Sequence, residues 1–196
     1  MANTPNSLAY RPREHRALLG TRLSLLSEQS SLFFGVWCQE GLWLAFHAQL
    51  GGLLSARQNA AIVQAHDALI DASLGNIQFS PRSIVPAILD LQVLQDAESR
   101  LEVLDHSGVV ALVGALDALA GGKVNAASVA AISALELIYE VYRLSGYEGE
   151  LWSAPMLVDE LRAQLVLLDA LEESQPTREL LFRRSPLVLN LDPDEG

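Results

Sequence analysis

The stretch 125–144, NAASVAAISALELIYEVYRL, places the strongest constraint on how this chain can fold. Its polar residues Ser133, Glu136, Glu140 and Arg143 follow one another at spacings of three and four, so they share one narrow stripe of an α-helix. The rest of the circumference is apolar, and its many alanines would let neighbouring helices approach closely. A helix that is apolar on most sides has to be surrounded, so the sequence predicts a central helix here.

The composition extends this prediction to the whole chain. Half of the 196 residues are hydrophobic, and leucine and alanine, which favour helices, dominate over β-branched and aromatic strand formers. We predict an all-α protein, a single-domain bundle of about seven helices around the alanine-rich helix, ending in a short extended C-terminal tail. The expected divisions are a flexible N-terminal arm (1–13), one helical domain (14–191) and an acidic tail (192–196).

Turn residues and capping signals divide the domain into further helices. A very apolar second helix carries most of the large aromatic residues, which predicts that their rings lie in the core. Gly51 and Gly52 are expected to end this helix, and Ser27 or Ser30 to cap its start. The helices predicted beside the central one are 13–28, 32–50, 55–73, 84–104, 105–120 and 155–173, followed by a short turn over 177–184 and extended chain over 187–191.

The charge is concentrated in the second half of the chain. Residues 1–86 hold six arginines against five acids, whereas residues 87–196 hold seven basic residues against nineteen acids. A negative field of this kind opposes nucleic acids and anionic membranes and steers a basic protein toward the C-terminal half. The alternative is that the acidity serves only solubility.

Targeting and redox signals favour a cytoplasmic protein. No apolar run reaches the roughly 18 residues of a membrane-spanning helix, and the first residues lack the apolar region of a secretion signal. The single cysteine, Cys38, excludes an internal disulfide and fits a reducing compartment. Since no basic residue lies within seven positions of it, we interpret Cys38 as an inert buried thiol.

Catalytic motifs are missing from the sequence. It contains no P-loop, no GxGxxG, no GxSxG and no CxxC. His66, Asp67 and Asp71 offer a weak metal cluster, but adjacent residues diverge by about 100° on a helix, so a solvated helix face is the favoured interpretation. Asp117 and Glu136 interrupt apolar helices and must be paired or hydrated, and a catalytic carboxylate pair is the less favoured alternative. We predict no enzymatic activity, no cofactor and no metal.

The second half resembles the YjaG-like family, small all-helical bacterial proteins of unknown function. The resemblance covers mainly residues 109–190. It depends on VVALVGALDAL at 109–119, followed by a glycine-containing break and an alanine-rich helix, and on PMLVDELRAQLVLLDAL at 155–171. Where the family pattern has an arginine-bearing turn after the aromatic helix, this chain has Gly51 and Gly52. The resemblance implies a helical fold and no particular activity.

Two function classes remain. The first is a protein-binding module, an immunity protein that neutralises a basic toxin by occlusion, with acids and aromatic anchors of the second half as its binding surface. The second is a housekeeping structural or regulatory homo-oligomer, such as a homodimer, that associates through the apolar face of the second helix or the 187–191 tail. The predicted partner-binding residues are Tyr147, Glu148, Glu150, Trp152, Asp159, Glu160, Asp169, Glu172 and Glu173.

Overall fold

In the computed structural model every regular element of the described residues is helical. The described residues are 11–76, 103–122, 125–182, 184–185 and 187, with only the backbone of Leu104. Within them lie α1 (Pro12–Leu23), α2 (Glu28–Leu53), α3 (Ala56–Ser73), α4 (Val103–Ala120), α5 (Ala126–Leu144), a 3₁₀ turn (Leu151–Ser153), α6 (Pro155–Glu173) and α7 (Arg178–Phe182). The predicted all-α class is confirmed. The predicted arm up to residue 10, the helix over 84–102 and the tail from 188 lie outside the described residues.

Helix α5 occupies the centre of the bundle, as its sequence pattern predicts. It packs against α1, α2, α4 and α6. Its alanines at 127, 130, 131 and 134 are buried together with the larger apolar side chains of the same helix. Glu136 and Arg143 are exposed and Ser133 and Glu140 half-buried, so the polar stripe lies on the side of α5 that reaches the surface, together with the exposed Val129.

Helix α2 is the second buried helix and carries the aromatic core. Phe33 and Phe34 are fully buried, and Trp37 and Trp43 nearly so, which confirms the prediction for these rings. Helix α4 runs antiparallel to α2, because its start packs on Phe46 while Leu119, near its end, reaches the level of Gly35. No helix in the described part of the chain is long and apolar enough to cross a membrane.

Two predicted helix ends are wrong, the end of α1 before α2 and the end of α2 itself. The first helix stops at Leu23 instead of continuing to residue 28, because Ser27 caps α2 by accepting a hydrogen bond from the Ser30 amide. At the other end α2 passes through Gly51 and Gly52 without a break and stops at Leu53. Neither glycine takes a left-handed conformation, so the signal of a glycine C-cap is not used here.

The helices α3, α5 and α6 start at, or one residue after, the positions that the sequence predicts. Ser55 and Gln58 form a reciprocal capping box at α3. Asn125 precedes α5 in a left-handed conformation with φ 66°, which asparagine tolerates better than most residues. Pro155 occupies the first turn of α6, where its missing amide hydrogen costs no helical hydrogen bond.

Candidate protein-binding site

Four aromatic side chains pair where α5 ends and the loop 145–153 turns toward α6. Tyr139 and Trp152 stack with ring centroids 4.3 Å apart. Tyr142 and Tyr147 meet edge to face at 4.8 Å. The Tyr142 hydroxyl also accepts a hydrogen bond of 3.2 Å from the Met156 amide. Offset and edge-to-face ring pairs are favourable arrangements, so these contacts fix the loop against the bundle.

The two loop rings remain accessible while they are held in place. Tyr147 is 38% and Trp152 36% exposed. Glu148 and Glu150 between them are exposed as well, and the loop 145–153 contains no basic residue. We call Tyr147, Glu148, Glu150 and Trp152 the aromatic-acidic surface. Its rings are partly buried and partly exposed to solvent, as is typical of aromatic residues that anchor protein interfaces.

The acids of α6 that were predicted to join this surface are separated along the helix. Asp159, near the start, forms an exposed ion pair of 2.7 Å with Arg162. Asp169 and Glu172 both bind the guanidinium of Arg22 at 2.8 Å, and Glu173 is exposed next to them. Asp159 and Asp169 lie about 15 Å apart at 1.5 Å per residue. The predicted residues therefore form two groups at opposite ends of α6 instead of one continuous surface.

Glu160 requires a correction, because it lies inside the protein. Its residue exposure is 5%, and its carboxylate accepts hydrogen bonds from Arg184 Nη1 at 2.7 Å and Nη2 at 3.1 Å. Glu160 and Asp159 are neighbours in sequence but point about 100° apart on the helix. Glu160 lies on the inward side with Leu157 and Gln164, both buried, and cannot contact a partner of the folded protein.

Glu160 belongs to a buried polar network that joins several helices. Gln164 Nε2 donates to Glu160 Oε1 at 2.9 Å and to the Ala131 carbonyl of α5 at 3.1 Å. Gln164 Oε1 lies 3.2 Å from His15 Nε2 of α1. The Gln164 amide nitrogen is the donor in the first two bonds, so the Gln164 amide oxygen is the acceptor in the third. We therefore assign a ring hydrogen to Nε2 of His15. The network fixes α1 and α5 to α6.

Arg184 completes the network from the C-terminal side, a position that no local pattern around it predicts. Its guanidinium lies 4.3 Å from the Trp37 ring centroid. Cys38 of α2 is fully buried beside this pair, and burial raises the pKa of its thiol well above the usual range, with the Glu160 charge acting in the same direction and Arg184 opposing it. The interpretation of Cys38 as a buried thiol is confirmed, and a raised pKa makes it a poor nucleophile.

A second polar cluster lies between α2 and α3. Trp43 is stacked between two imidazoles, with ring centroids 4.0 Å from His47 and 3.8 Å from His66. His66 Nε2 is 2.7 Å from Glu40 Oε2. His66 is buried, so its predicted place on a solvated face is wrong: α3 packs this side against α2. His47 is half-buried, and its buried Nε2 has no hydrogen-bond partner among the residues that the structure describes.

The predicted catalytic alternatives do not assemble. Glu136 is exposed, 3.7 Å from Arg16, and shares a groove with Val110. Asp117 is half-buried about 10 Å further along α4 at 1.5 Å per residue, so the two carboxylates do not share a site. Among the residues that the structure describes, no group of three or more histidine, cysteine or acidic side chains is arranged to hold a metal ion.

We expect the free energy of unfolding to decrease as the pH falls below about 6.5, with His15 as one cause. Burial lowers the pKa of His15, although the Gln164 hydrogen bond opposes this shift. The unfolded chain therefore binds the proton first, so the stabilisation is present above the unfolded pKa and is lost as the pH falls through it. One proton gives a slope of at most about 1.4 kcal/mol per pH unit. Urea titrations between pH 5 and 8 of the wild type and a His15→Gln variant measure it, and equal slopes would contradict the prediction.

Comparison of the chain with protein-family models, curated proteins and solved structures finds no match. The resemblance to the YjaG-like family therefore stays a prediction.

Proposed function

We propose that this protein is a non-enzymatic, cytoplasmic protein-binding module and that its aromatic-acidic surface binds a basic protein. The observation that carries the proposal is the exposure of Tyr147 and Trp152 while Tyr142 and Tyr139 hold their rings in place. A ring that is already ordered loses little conformational entropy on binding, which is the usual advantage of a preorganised anchor.

The charges around these rings support a basic partner. Glu148 and Glu150 are exposed, and within the described part of the chain the Glu150 carboxylate accepts a hydrogen bond from the neutral Ser153 hydroxyl, at 3.3 Å, and forms no ion pair. By contrast, Arg143 and Arg162 are already paired with Glu140 and Asp159. The carboxylates in the loop thus keep their negative charge available for steering a basic protein toward the two rings.

An immunity protein that occludes a basic toxin is the form of this function that we propose. Small size, a net charge of −11 and a compact helical scaffold support it. An inhibitor of this kind acts by covering the toxin's own site. It therefore requires a rigid complementary surface and no catalytic group of its own.

Affinity capture of the tagged protein from its own cells, washed at low and high salt, tests the proposal. We expect one stoichiometric basic partner whose retention weakens with salt. With the purified partner, Trp152→Ala should weaken binding about 30-fold, the effect of losing a 2 kcal/mol anchor. Glu148→Lys combined with Glu150→Lys should weaken it about tenfold or more, mainly through slower association.

The matched control is Glu28→Lys combined with Asp67→Lys. Both acids are exposed and lie on α2 and α3, outside the loop 145–153 and outside the predicted partner-binding residues, and the change in net charge is the same. Equal loss of affinity in the two double variants would mean that only the total charge matters, and the aromatic-acidic surface would then be rejected.

Self-association is a second candidate, favoured by one observation. The Phe182 side chain at the end of α7 is 75% exposed, an unusual position for a large aromatic residue. The surfaces first predicted for a homodimer are less suitable, since the apolar side chains of α2 are mostly buried and Leu187 packs against the core. Sedimentation that shows a dimer dissociating in Phe182→Ser, but not in Trp152→Ala, would favour this candidate.

A further inference from the structure

The surroundings of Arg184 have the features of a binding site for an arginine side chain. Two guanidinium nitrogens donate to the two oxygens of Glu160, and the Trp37 ring covers the group at 4.3 Å. Such a fork on a carboxylate, combined with an aromatic face, is how proteins recognise guanidinium groups. The side chains of both Arg184 and Glu160 are about 5% exposed, so water competes little for these bonds.

The groups that form this site belong to the helix bundle. Gly41 provides the space, since a Cβ atom at this position would overlap the guanidinium. The Glu160 carboxylate is oriented by Gln164, which is itself fixed by the Ala131 carbonyl and His15. None of these contacts comes from the chain that follows α6. The bundle alone therefore positions the carboxylate, the ring and the gap beside them.

The segment that carries Arg184 is attached to the bundle mainly through apolar side chains, since Leu181 is buried and Leu180 and Leu187 pack against the core. Residues 174–177 separate it from α6 and are exposed or half-buried. In α7 only Leu181 is buried, and Arg178 forms a long, exposed ion pair of 3.9 Å with Asp71, of a kind that contributes little stability. Beyond it, the Leu187 amide donates to the Gly41 carbonyl at 3.3 Å.

Arg184 itself is incompletely satisfied in this position. Its Nε is buried and has no hydrogen-bond partner in the described part of the protein. A buried ion pair has to offset the desolvation of both charges, and an unpaired donor makes that harder. The arrangement is better explained by specific recognition of a guanidinium than by optimised stability.

We propose that Trp37, Gly41 and Glu160 form a preformed guanidinium-binding site whose ligand class is the arginine side chain, and that Arg184 occupies it as an intramolecular ligand. The site lies on α2 and α6 and shares no residue with the aromatic-acidic surface, so the inference does not depend on the proposed function.

Chemical rescue of an Arg184→Ala variant tests the site. The variant keeps Glu160, Trp37 and Gly41 but loses the guanidinium, and ethylguanidinium supplies that group from solution. At ten times its dissociation constant the ligand should raise the folded-to-unfolded ratio of the variant about elevenfold. Thermal unfolding followed by circular dichroism measures it. Concentrations up to about 20 mM keep the denaturing effect of guanidinium negligible.

Three comparisons make the result specific. Ethylammonium has the same charge without the planar fork and should give no comparable rescue. An Arg162→Ala variant, which loses an exposed arginine of α6, should not respond to ethylguanidinium. An Arg184→Ala variant that also carries Glu160→Gln contains no unpaired buried charge, provides a folded reference, and should not respond either.

Each outcome of the rescue experiment either supports the guanidinium-binding site or overturns it. Rescue of Arg184→Ala alone supports the site, and so does recovery of helical signal by ethylguanidinium if this variant is unfolded without it. The proposal is overturned if ethylguanidinium leaves Arg184→Ala unchanged or unfolded, if ethylammonium rescues equally, or if the variant with Glu160→Gln responds to the same extent.

Discussion

Replacing Glu160 with alanine is expected to lower the free energy of unfolding by about 3–5 kcal/mol, the range found when one partner of a buried ion pair is removed. The variant leaves the Arg184 guanidinium buried, with two of its donors deprived of their acceptors. It also removes the acceptor of one Gln164 amide hydrogen bond. Urea unfolding at pH 7, followed by circular dichroism, measures the loss.

The preceding residue provides the control for this prediction. Asp159 carries the same charge on the same helix, but it is exposed and pairs with Arg162 at the surface. Asp159→Ala should therefore change the free energy of unfolding by no more than about 1 kcal/mol. Similar decreases in the free energy of unfolding in the two variants would contradict the buried position of Glu160 and indicate that it lies at the surface.

Removing both charges of the Glu160–Arg184 pair is expected to lower the free energy of unfolding much less than removing one of them. A double variant with Glu160→Met and Arg184→Met no longer contains this buried ion pair, and substitutions of this kind are often neutral or stabilising by about 1–4 kcal/mol. If the double variant is as unstable as Glu160→Ala, the loss comes from packing around α6 and not from an unpaired charge.

Periodicity within one helix predicted the centre of the fold correctly because the information is local. In α5 the polar side chains recur every three or four residues, which is enough to identify a buried helix without knowing its neighbours. The aromatic side chains of α2 were predicted to lie in the core for a different local reason, because large rings clustered in a very apolar helix are usually buried. The boundaries near Ser27 and Gly51 were less predictable, since the serine cap competes with helix propensity and the glycines take ordinary helical conformations.

The position of Glu160 could not be read from the sequence, because its partner lies 24 residues away. Arg184 follows a short helix and a turn, and only the folded chain brings it back beside α2 and α6. Asp159 and Glu160 looked equivalent as adjacent acids, and helix geometry alone does not say which of the two faces inward. The Arg22 pairs with Asp169 and Glu172 were hidden for the same reason.

The sequence does contain a signal for the ring pairs that support the aromatic-acidic surface. Tyr139 and Tyr142 are three residues apart in the last turns of α5, so they lie on one side of the helix next to the loop that carries Tyr147 and Trp152. The structure pairs the rings accordingly. Among the acids predicted for binding, those on α6 are mostly neutralised by arginines, which leaves the loop as the better place for a basic partner.

Replacing Gly35 with alanine is expected to lower the free energy of unfolding by about 1–3 kcal/mol, the cost of adding a methyl group to a packed core. Gly35 lies where α2 meets α4 and α5. An added Cβ would be 2.6 Å from Leu119 Cδ2 and 2.8 Å from the Ala127 Cα. The leucine side chain can rotate away, but the Ala127 backbone can move only with α5, the central helix. Thermal and urea unfolding measure the loss.

The same substitution at Gly114 should have the opposite sign. Gly114 is exposed within α4, and an added Cβ there meets no atom of the described residues within 4 Å. Alanine restricts the unfolded chain and favours the helix, so Gly114→Ala should raise the free energy of unfolding by about 0.5–1 kcal/mol. If Gly35→Ala is stabilising as well, α2 and α5 have room for a methyl group between them, and the close packing of the two buried helices is wrong. A loss at Gly35 with a gain at Gly114 would locate the constraint at this contact, since helix propensity is changed equally in both variants.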